Sequence, residues 1–75
     1  MTDAQKKSWV VASDVGSRDG IGIELSLDDQ IVLEIFRDDT KKTREVTFFQ
    51  KEVPLALLEV SIEKFKKDIP WEFLD

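Results

Sequence analysis

The stretch that decides the fold is GIGIELSLDDQIVLEIFRDDTKKTREVTFF, residues 20–49. Apolar and polar residues alternate in it three times, over 20–27, 31–37 and 44–49. This period of two is typical of a strand with one buried face. Short polar segments rich in aspartate and lysine separate the runs, as in hairpin turns. The stretch therefore predicts three antiparallel strands that are joined by two hairpins.

The length of the first connection determines which side chains share a face, because residues paired across an antiparallel hairpin point the same way. A three-residue loop over 28–30 places the apolar residues of both strands on one face and sets Ile23 opposite Ile35. A two-residue turn over 28–29 would instead set Ile23 opposite Glu34. We therefore expect the three-residue loop.

The second connection fits a turn centred on residues 40–41, which sets Ile35 opposite Val46. The same register brings Arg37 opposite Arg44. Like charges destabilise a directly opposed pair. We expect the nearby aspartates, a splayed hairpin tip or an anion of a partner to compensate for this repulsion.

A further strand is predicted before the three. Residues 7–14, KSWVVASD, are rich in β-branched and aromatic side chains, and the turn residues of 15–19 end the run. The loop does not fix the register of this strand. Whether Trp9 or Val10 points inward therefore stays open.

Beyond residue 49 the apolar period becomes helical. Apolar residues recur at steps of three and four over 55–69, after Pro54 and before Pro70. Val53 has no side-chain oxygen to cap the helix, so the helix depends on packing its apolar stripe against the sheet.

The predicted fold is α+β, with the order β-β-β-β-α: a four-stranded antiparallel sheet with one C-terminal helix packed on one face. We expect a single domain over residues 1–75, with a flexible N-terminus over 1–6 and a C-terminal tail over 70–75.

The composition excludes many kinds of active site. The 75 residues include no cysteine and no histidine, which removes thiolate metal sites, cysteine nucleophiles and the commonest general base. The neighbouring aspartates fall at hairpin ends, where turn hydrogen bonding alone favours them. No apolar run approaches the roughly 20 residues of a membrane span. We expect a cytoplasmic protein that is not an enzyme and needs no cofactor or metal.

The charge favours a basic partner protein. Sixteen acidic residues against eleven basic ones give a net charge of -5, which repels nucleic-acid phosphate at long range. A local exception is the second hairpin, where four cations could contact phosphate or could simply lie in solvent. These alternative nucleic-acid contacts are Arg37, Lys41, Lys42 and Arg44.

The sheet face away from the helix, here called the second face, carries two phenylalanines where polar residues are expected. By parity its residues on the last two strands are Val32, Glu34, Phe36, Glu45, Thr47 and Phe49. Exposed aromatic patches commonly mark interfaces. We expect the tail over 71–74 or a second copy in a homodimer to cover this face, or a partner to bind it.

The order of elements resembles the single-stranded nucleic-acid-binding units of the PUR-repeat and Whirly families. The segment IVLEIFRDDTKKTREVTFF followed by a helix is similar to their strand, basic hairpin, strand and helix. This resemblance implies a basic, aromatic sheet, whereas Glu24, Glu34 and Glu45 fall on the corresponding face here. No binding residue is therefore carried over.

The segments IGIELSLDDQIVLEIFRDDTKKTREVTFF and VPLALLEVSIEKFKK also resemble those of small acidic bacterial immunity proteins and other protein inhibitors. This resemblance implies a protein that blocks a toxin or nuclease by covering its basic functional surface. The partner-binding residues that it implies are Asp14, Asp19, Asp28, Asp29, Asp38 and Asp39, with Phe36 and Trp71 as apolar contacts.

The sequence thus favours a non-enzymatic protein-binding module, most concretely an acidic inhibitor of the immunity type. The first alternative is a small single-stranded nucleic-acid-binding domain that uses the basic hairpin and the aromatic residues of the sheet. The second is a structural or assembly subunit whose partner covers the second face.

Overall fold

Four antiparallel strands and one helix follow one another in the computed structural model, which describes residues 6–16 and 18–74. The strands lie in the order β1-β2-β3-β4, so each hairpin joins direct neighbours. The expected flexible N-terminus lies outside the described residues, except for Lys6. The elements are β1 Lys7–Asp14, β2 Gly20–Leu27, β3 Gln30–Asp38, β4 Thr43–Phe48 and α1 Leu55–Asp68. The α+β prediction is therefore confirmed.

The β2–β3 connection is a two-residue turn, and the predicted three-residue loop is wrong. Leu27 pairs with Gln30, and the two residues between them, Asp28 and Asp29, have φ angles of 50° and 73°. Positive φ at both central positions is the mark of a type I′ turn, whose twist matches that of the flanking strands. The match between a type I′ turn and the twist of the strands therefore accounts for a loop of two residues instead of three.

A β-bulge then restores the apolar register that the two-residue turn alone would have lost. Ser26 pairs with Ile31 and Leu25 with Leu33, so Val32 is the extra residue on β3. Val32 is buried within the hydrophobic core cluster, which corrects its predicted place on the second face. Beyond the bulge the predicted apolar pairing holds. A parity argument cannot anticipate such an inserted residue.

The β3–β4 hairpin has the predicted register. Ile35 pairs with Val46, and Arg37 pairs with Arg44 despite their like charges. The compensation for this charge pair comes from the C-terminal tail and from Asp39, as described below.

Helix α1 lies across β2 and β3, and its first residues receive no side-chain cap, as expected. Trp9 of β1 faces this helix, because its indole N–H donates to Ser61 Oγ at 3.1 Å. Val10 therefore points to the second face, which settles the orientation that the sequence left open. The buried core consists of Ile23, Leu25, Val32, Leu33, Ile35, Phe65 and Ile69.

Candidate functional site

The structure divides the six predicted aspartates between the two ends of the sheet. We call the end formed by the β1–β2 loop, the β3–β4 hairpin tip and residues 70–74 the tail end. The opposite end, formed by the β2–β3 turn, residues 49–54 and the start of α1, is the turn end. The aspartates at the tail end are Asp14, Asp19, Asp38 and Asp39, and those at the turn end are Asp28 and Asp29.

Three of the four carboxylates at the tail end are bound by the chain itself. Asp14 accepts hydrogen bonds from the Gly16 N–H at 2.9 Å and from Arg18 Nε at 3.3 Å, and these bonds lower the pKa of Asp14. Asp38 is buried and accepts the backbone N–H groups of residues 40 and 41, each at 3.0 Å. The bonds from backbone N–H groups are turn hydrogen bonds, and the contact of Arg18 with Asp14 is an ion pair.

Asp39 joins the hairpin tip to the C-terminal tail. Arg37 donates to both of its carboxylate oxygens, at 2.9 and 3.1 Å, and the Leu74 N–H donates to Oδ1 at 3.1 Å. The bonds from Arg37 are the main reason that the pKa of Asp39 is lowered. Asp19 is exposed, and its backbone carbonyl accepts the N–H of Asp39 at 2.7 Å.

The two paired arginines of the hairpin hold the tail. Arg37 Nη1 donates to the Pro70 carbonyl at 2.7 Å, and Arg44 donates to the Trp71 carbonyl at 2.7 and 3.2 Å. The Arg44 guanidinium also lies 3.8 Å from the Trp71 ring centroid and 4.2 Å from that of Phe73. The Asp39 carboxylate, the carbonyl groups of the tail and its aromatic rings thus together compensate for the like-charge pair.

The two lysines of the hairpin also contact the chain. Lys41 forms an ion pair with Glu45 at 2.9 Å, which raises the pKa of Lys41 and lowers that of Glu45. Lys42 Nζ donates to the Leu74 carbonyl at 2.8 Å. All four candidate nucleic-acid contacts therefore have protein partners.

Val10 on the second face is 54% exposed, but the part of this face around Glu34 and Phe36 is covered by Arg18 and not by the tail. Its guanidinium donates to both oxygens of Glu34, at 2.9 and 2.7 Å, and lies 3.7 Å from the ring centroid of Phe36. Phe36 is consequently only 2% exposed, and Glu34 only 5%. Phe36 is therefore not accessible as a contact for a partner. Trp71, the other predicted apolar contact, is exposed at the tail end.

Sequence reasoning treated Arg18 as a turn residue and missed this role. A usable signal was present, because a glutamate between apolar residues in a central strand needs a cation if it is buried.

Gly22 allows β2 and β3 to lie close together beneath this face. A Cβ at Gly22 would meet the Ile35 carbonyl oxygen and would lie 2.8 Å from the Cα of Phe36. The bare backbone at this position allows β3 to approach closely.

The turn end presents a different surface, which is open and partly apolar. A surface cavity of about 310 Å³ lies beside the β2–β3 turn, and a second one of about 250 Å³ lies between β4 and the start of α1. Gln50 lines both cavities. The first is lined by Leu27, Gln30, Val32, Gln50, Glu52, Pro54 and Leu57, and the second by Phe48, Gln50, Lys51, Val53, Leu55 and Leu58.

Large apolar side chains and carboxylates are both exposed around these cavities. Leu55 is 68% exposed and Phe48 is 49% exposed. Asp28, Asp29 and Glu52 are also exposed, and Asp28 Oδ1 accepts the backbone N–H of Lys6 at 3.0 Å. We call Asp28, Asp29, Phe48, Glu52 and Leu55 the turn-end site. The sequence indicated its aspartates but not its cavities, which depend on where α1 docks.

Neither a metal site nor a membrane span is found among the residues that the structure describes. No group of three or more acidic side chains within 6–16 and 18–74 is placed to hold a metal ion. In the same part of the chain, no helix has the length and apolar character needed to cross a bilayer. Comparison with protein-family models, with curated proteins and with solved structures found no match.

Proposed function

We propose that this chain is a non-enzymatic, cytoplasmic protein-binding module that holds a basic partner at the turn-end site and blocks the partner's functional surface, as acidic inhibitors of the immunity type do. The observation that carries the proposal is the pair of adjoining open cavities at the end of the sheet where Asp28 and Asp29 are exposed. Partly apolar pockets beside carboxylates suit the side chains of a basic protein surface.

The chemistry of the first cavity fits a lysine or an arginine of the partner. These side chains have an apolar stem and a charged head, and the stem commonly packs along apolar surface while the head stays near water or an anion. Leu27, Leu57 and Pro54 provide apolar walls, and Glu52 provides a carboxylate. A partner cation can therefore be recognised through both parts of its side chain.

The second cavity supplies the apolar contact that affinity requires. Exposed ion pairs contribute little, whereas a few well-packed apolar contacts dominate most interfaces. Phe48 and Leu55 stand at this cavity, and Lys51 is the one cation among the lining residues of the two cavities. The net charge of -5 would speed the encounter with a basic protein, more strongly at low salt.

The contacts at the tail end weigh against the nucleic-acid alternative. Arg37 and Arg44 are engaged with the carbonyl groups of the tail, and Lys41 with Glu45. Binding of a phosphate backbone would have to compete with these interactions. We therefore do not carry that alternative forward.

The proposal is tested by capture from native lysate with a tagged chain, in nuclease-treated and untreated halves. We expect one basic protein to be retained in both halves. Leu55→Lys places a cation at the second cavity and should reduce its recovery about tenfold, as loss of an interface hot spot does. Val60→Lys is the matched control, because Val60 is an exposed residue of α1 that lines neither cavity.

Two outcomes would overturn the proposal. The first is undiminished recovery of the protein by the Leu55→Lys variant. The second is retention of material that disappears after nuclease treatment. A double Asp28→Asn, Asp29→Asn variant adds a charge test, since its loss of affinity should be larger at low salt than at moderate salt.

A further inference from the structure

The two edges of the sheet differ in how well they are protected against pairing with another strand. β4 has six residues and carries Arg44 and Glu45 at its second and third positions, and charge on an edge strand discourages association. β1 has eight residues, and its ionisable side chains stand only at its two ends. Val10 and Val11, on opposite faces of β1, are 54% and 52% exposed. Within residues 6–16 and 18–74, β1 is therefore the longer and more apolar of the two edges, without a charge along its middle.

The backbone of β1 also has hydrogen-bonding groups that face away from the sheet. The Asp28 N–H donates to the Lys6 carbonyl at 3.0 Å, so residue 6 belongs to a hydrogen-bonded pair of the β1–β2 ladder. Such pairs alternate along an antiparallel ladder, and the register of β1 and β2 is unbroken. The outward backbone groups are therefore those of Lys7, Trp9, Val11 and Ser13.

We propose that β1 pairs antiparallel with β1 of a second copy, about a two-fold axis at Val10. In this register Val10 faces its own equivalent, and Trp9 faces Val11 of the second copy. The outward groups of each chain then find partners on the other chain, since Trp9 pairs with Val11 and Lys7 with Ser13. Two four-stranded sheets become one continuous sheet of eight strands.

Charge complementarity selects this register. With the axis at Val10, Lys6 lies opposite Asp14 of the second copy, so each end of the paired strands joins a cation to an anion. Moving the axis by one residue to Val11 sets Ser8 opposite Asp14 and removes both ion pairs. Asp14 stays partly exposed while it is bonded to Arg18, so it can accept a second cation.

Pairing through the β1 edge does not use the cavities of the turn end. Paired at β1, the two copies leave both β4 edges at the outside of the sheet. Phe48 at the end of β4 and Leu55 at the start of α1, which line the second cavity, then stay accessible in both copies. The dimer would therefore present two turn-end sites.

A single introduced cysteine tests the register, because the chain has no native cysteine. At the axis, Val10 and its equivalent form a narrow, non-hydrogen-bonded pair with Cα atoms about 4.5 Å apart, which a disulfide can span. Val10→Cys should therefore cross-link the two copies under mild oxidation. Val11→Cys faces Trp9 of the other copy and should not cross-link. Val46→Cys is the control on the other edge of the sheet.

Analytical ultracentrifugation of the full chain tests the dimer itself. We expect reversible dimerisation. Val10→Lys should raise the dissociation constant of the dimer at least tenfold, because it places two lysines opposite each other at the axis. Lys6→Glu should weaken the dimer more than Lys7→Glu. Both variants make the same change of charge, but residue 6 lies opposite the charged Asp14 of the second copy and residue 7 lies opposite the uncharged Ser13. A wild-type chain that stays monomeric up to about 1 mM would overturn the proposal. Cross-linking through residue 11 or 46 in place of 10 would overturn it as well.

Discussion

Arg18 shows how one side chain can cover the buried residues on one face of a small sheet. It forms two hydrogen bonds with the buried Glu34, bonds to Asp14 at the end of β1, and lies over the ring of Phe36. A planar guanidinium can make bidentate and stacking contacts together, which a lysine ammonium cannot. The β1–β2 loop is therefore fixed to the second face by one residue.

Replacing Arg18 by alanine should destabilise the fold by about 2 kcal/mol. Breaking a fully buried ion pair costs more, about 3–5 kcal/mol, but Arg18 is partly exposed and water can replace some of its interactions. Urea denaturation at neutral pH measures the change. Adding Glu34→Gln to Arg18→Ala should recover part of the loss, because it removes the uncompensated buried charge. An Arg18→Ala variant as stable as the wild type would contradict this account.

The attachment of the tail should depend on pH through Asp39. The hydrogen bonds from Arg37, the Leu74 N–H and the charge of Lys42 lower the pKa of Asp39. Its stabilising contribution is thus fully present above the unfolded-state pKa of about 3.9 and is lost as pH falls below that value toward the folded-state pKa. Fluorescence of Trp71 in a Trp9→Phe background should report release of the tail in this range.

The matched variants for this titration are Asp39→Asn and Asp68→Asn. We expect Asp39→Asn to loosen the tail already at neutral pH and to reduce the fluorescence change on acidification. Asp68 pairs with Lys64 on the helix and not with the tail, so Asp68→Asn should leave the change intact. Equal acid responses in the wild type and in Asp39→Asn would show that Asp39 does not hold the tail.

At the scale of elements, the sequence predicted the strands and the helix, which follow from the periodicity of apolar residues. It missed the features that depend on single residues. The alternation over 20–27 fixed β2, and the helical stripe over 55–69 fixed α1. The bulge at Val32 was missed, because three consecutive apolar residues over 31–33 fit either an extra residue on the strand or an apolar residue on the second face. The cover of Arg18 over the second face and the path of the tail depend on tertiary contacts, which no local pattern contains.

A substitution in the β2–β3 turn should change the stability of the fold and the binding of the partner in opposite directions. Asp29 has a φ of 73°, a region where glycine avoids the steric cost that other residues bear. Asp29→Gly should therefore stabilise the fold by about 1 kcal/mol in thermal or urea denaturation. It should also weaken partner binding, because it removes a carboxylate of the turn-end site. Asp29→Asn separates the two effects, since it removes the charge without providing a glycine.

At the scale of the whole molecule, the two ends of the sheet use their charges differently. Most ionisable side chains of the tail end are bound to one another, to backbone groups or to residues 70–74, whereas the turn end exposes carboxylates beside open cavities. The overall charge of -5 adds repulsion toward polyanions. This difference between the two ends is the reason that we propose a basic protein as the partner.

The wild-type chain should therefore not bind a labelled single-stranded oligonucleotide in a fluorescence anisotropy titration, even at low salt, where phosphate contacts are strongest. The basic β3–β4 hairpin is the surface that would bind the oligonucleotide, and Arg44→Gln removes one of its cations. Binding by the wild type that is lost in Arg44→Gln would restore the nucleic-acid alternative.

The most direct test of the central claim is a map of the surface that a basic partner contacts. The measurement is a backbone amide NMR titration of the labelled full chain with the protein recovered in the capture experiment. We predict that the largest shift changes fall in residues 27–30 and 48–58, which form the turn-end site and line its cavities. Changes confined to residues 37–44 and 70–74, with the turn end unaffected, would contradict the account.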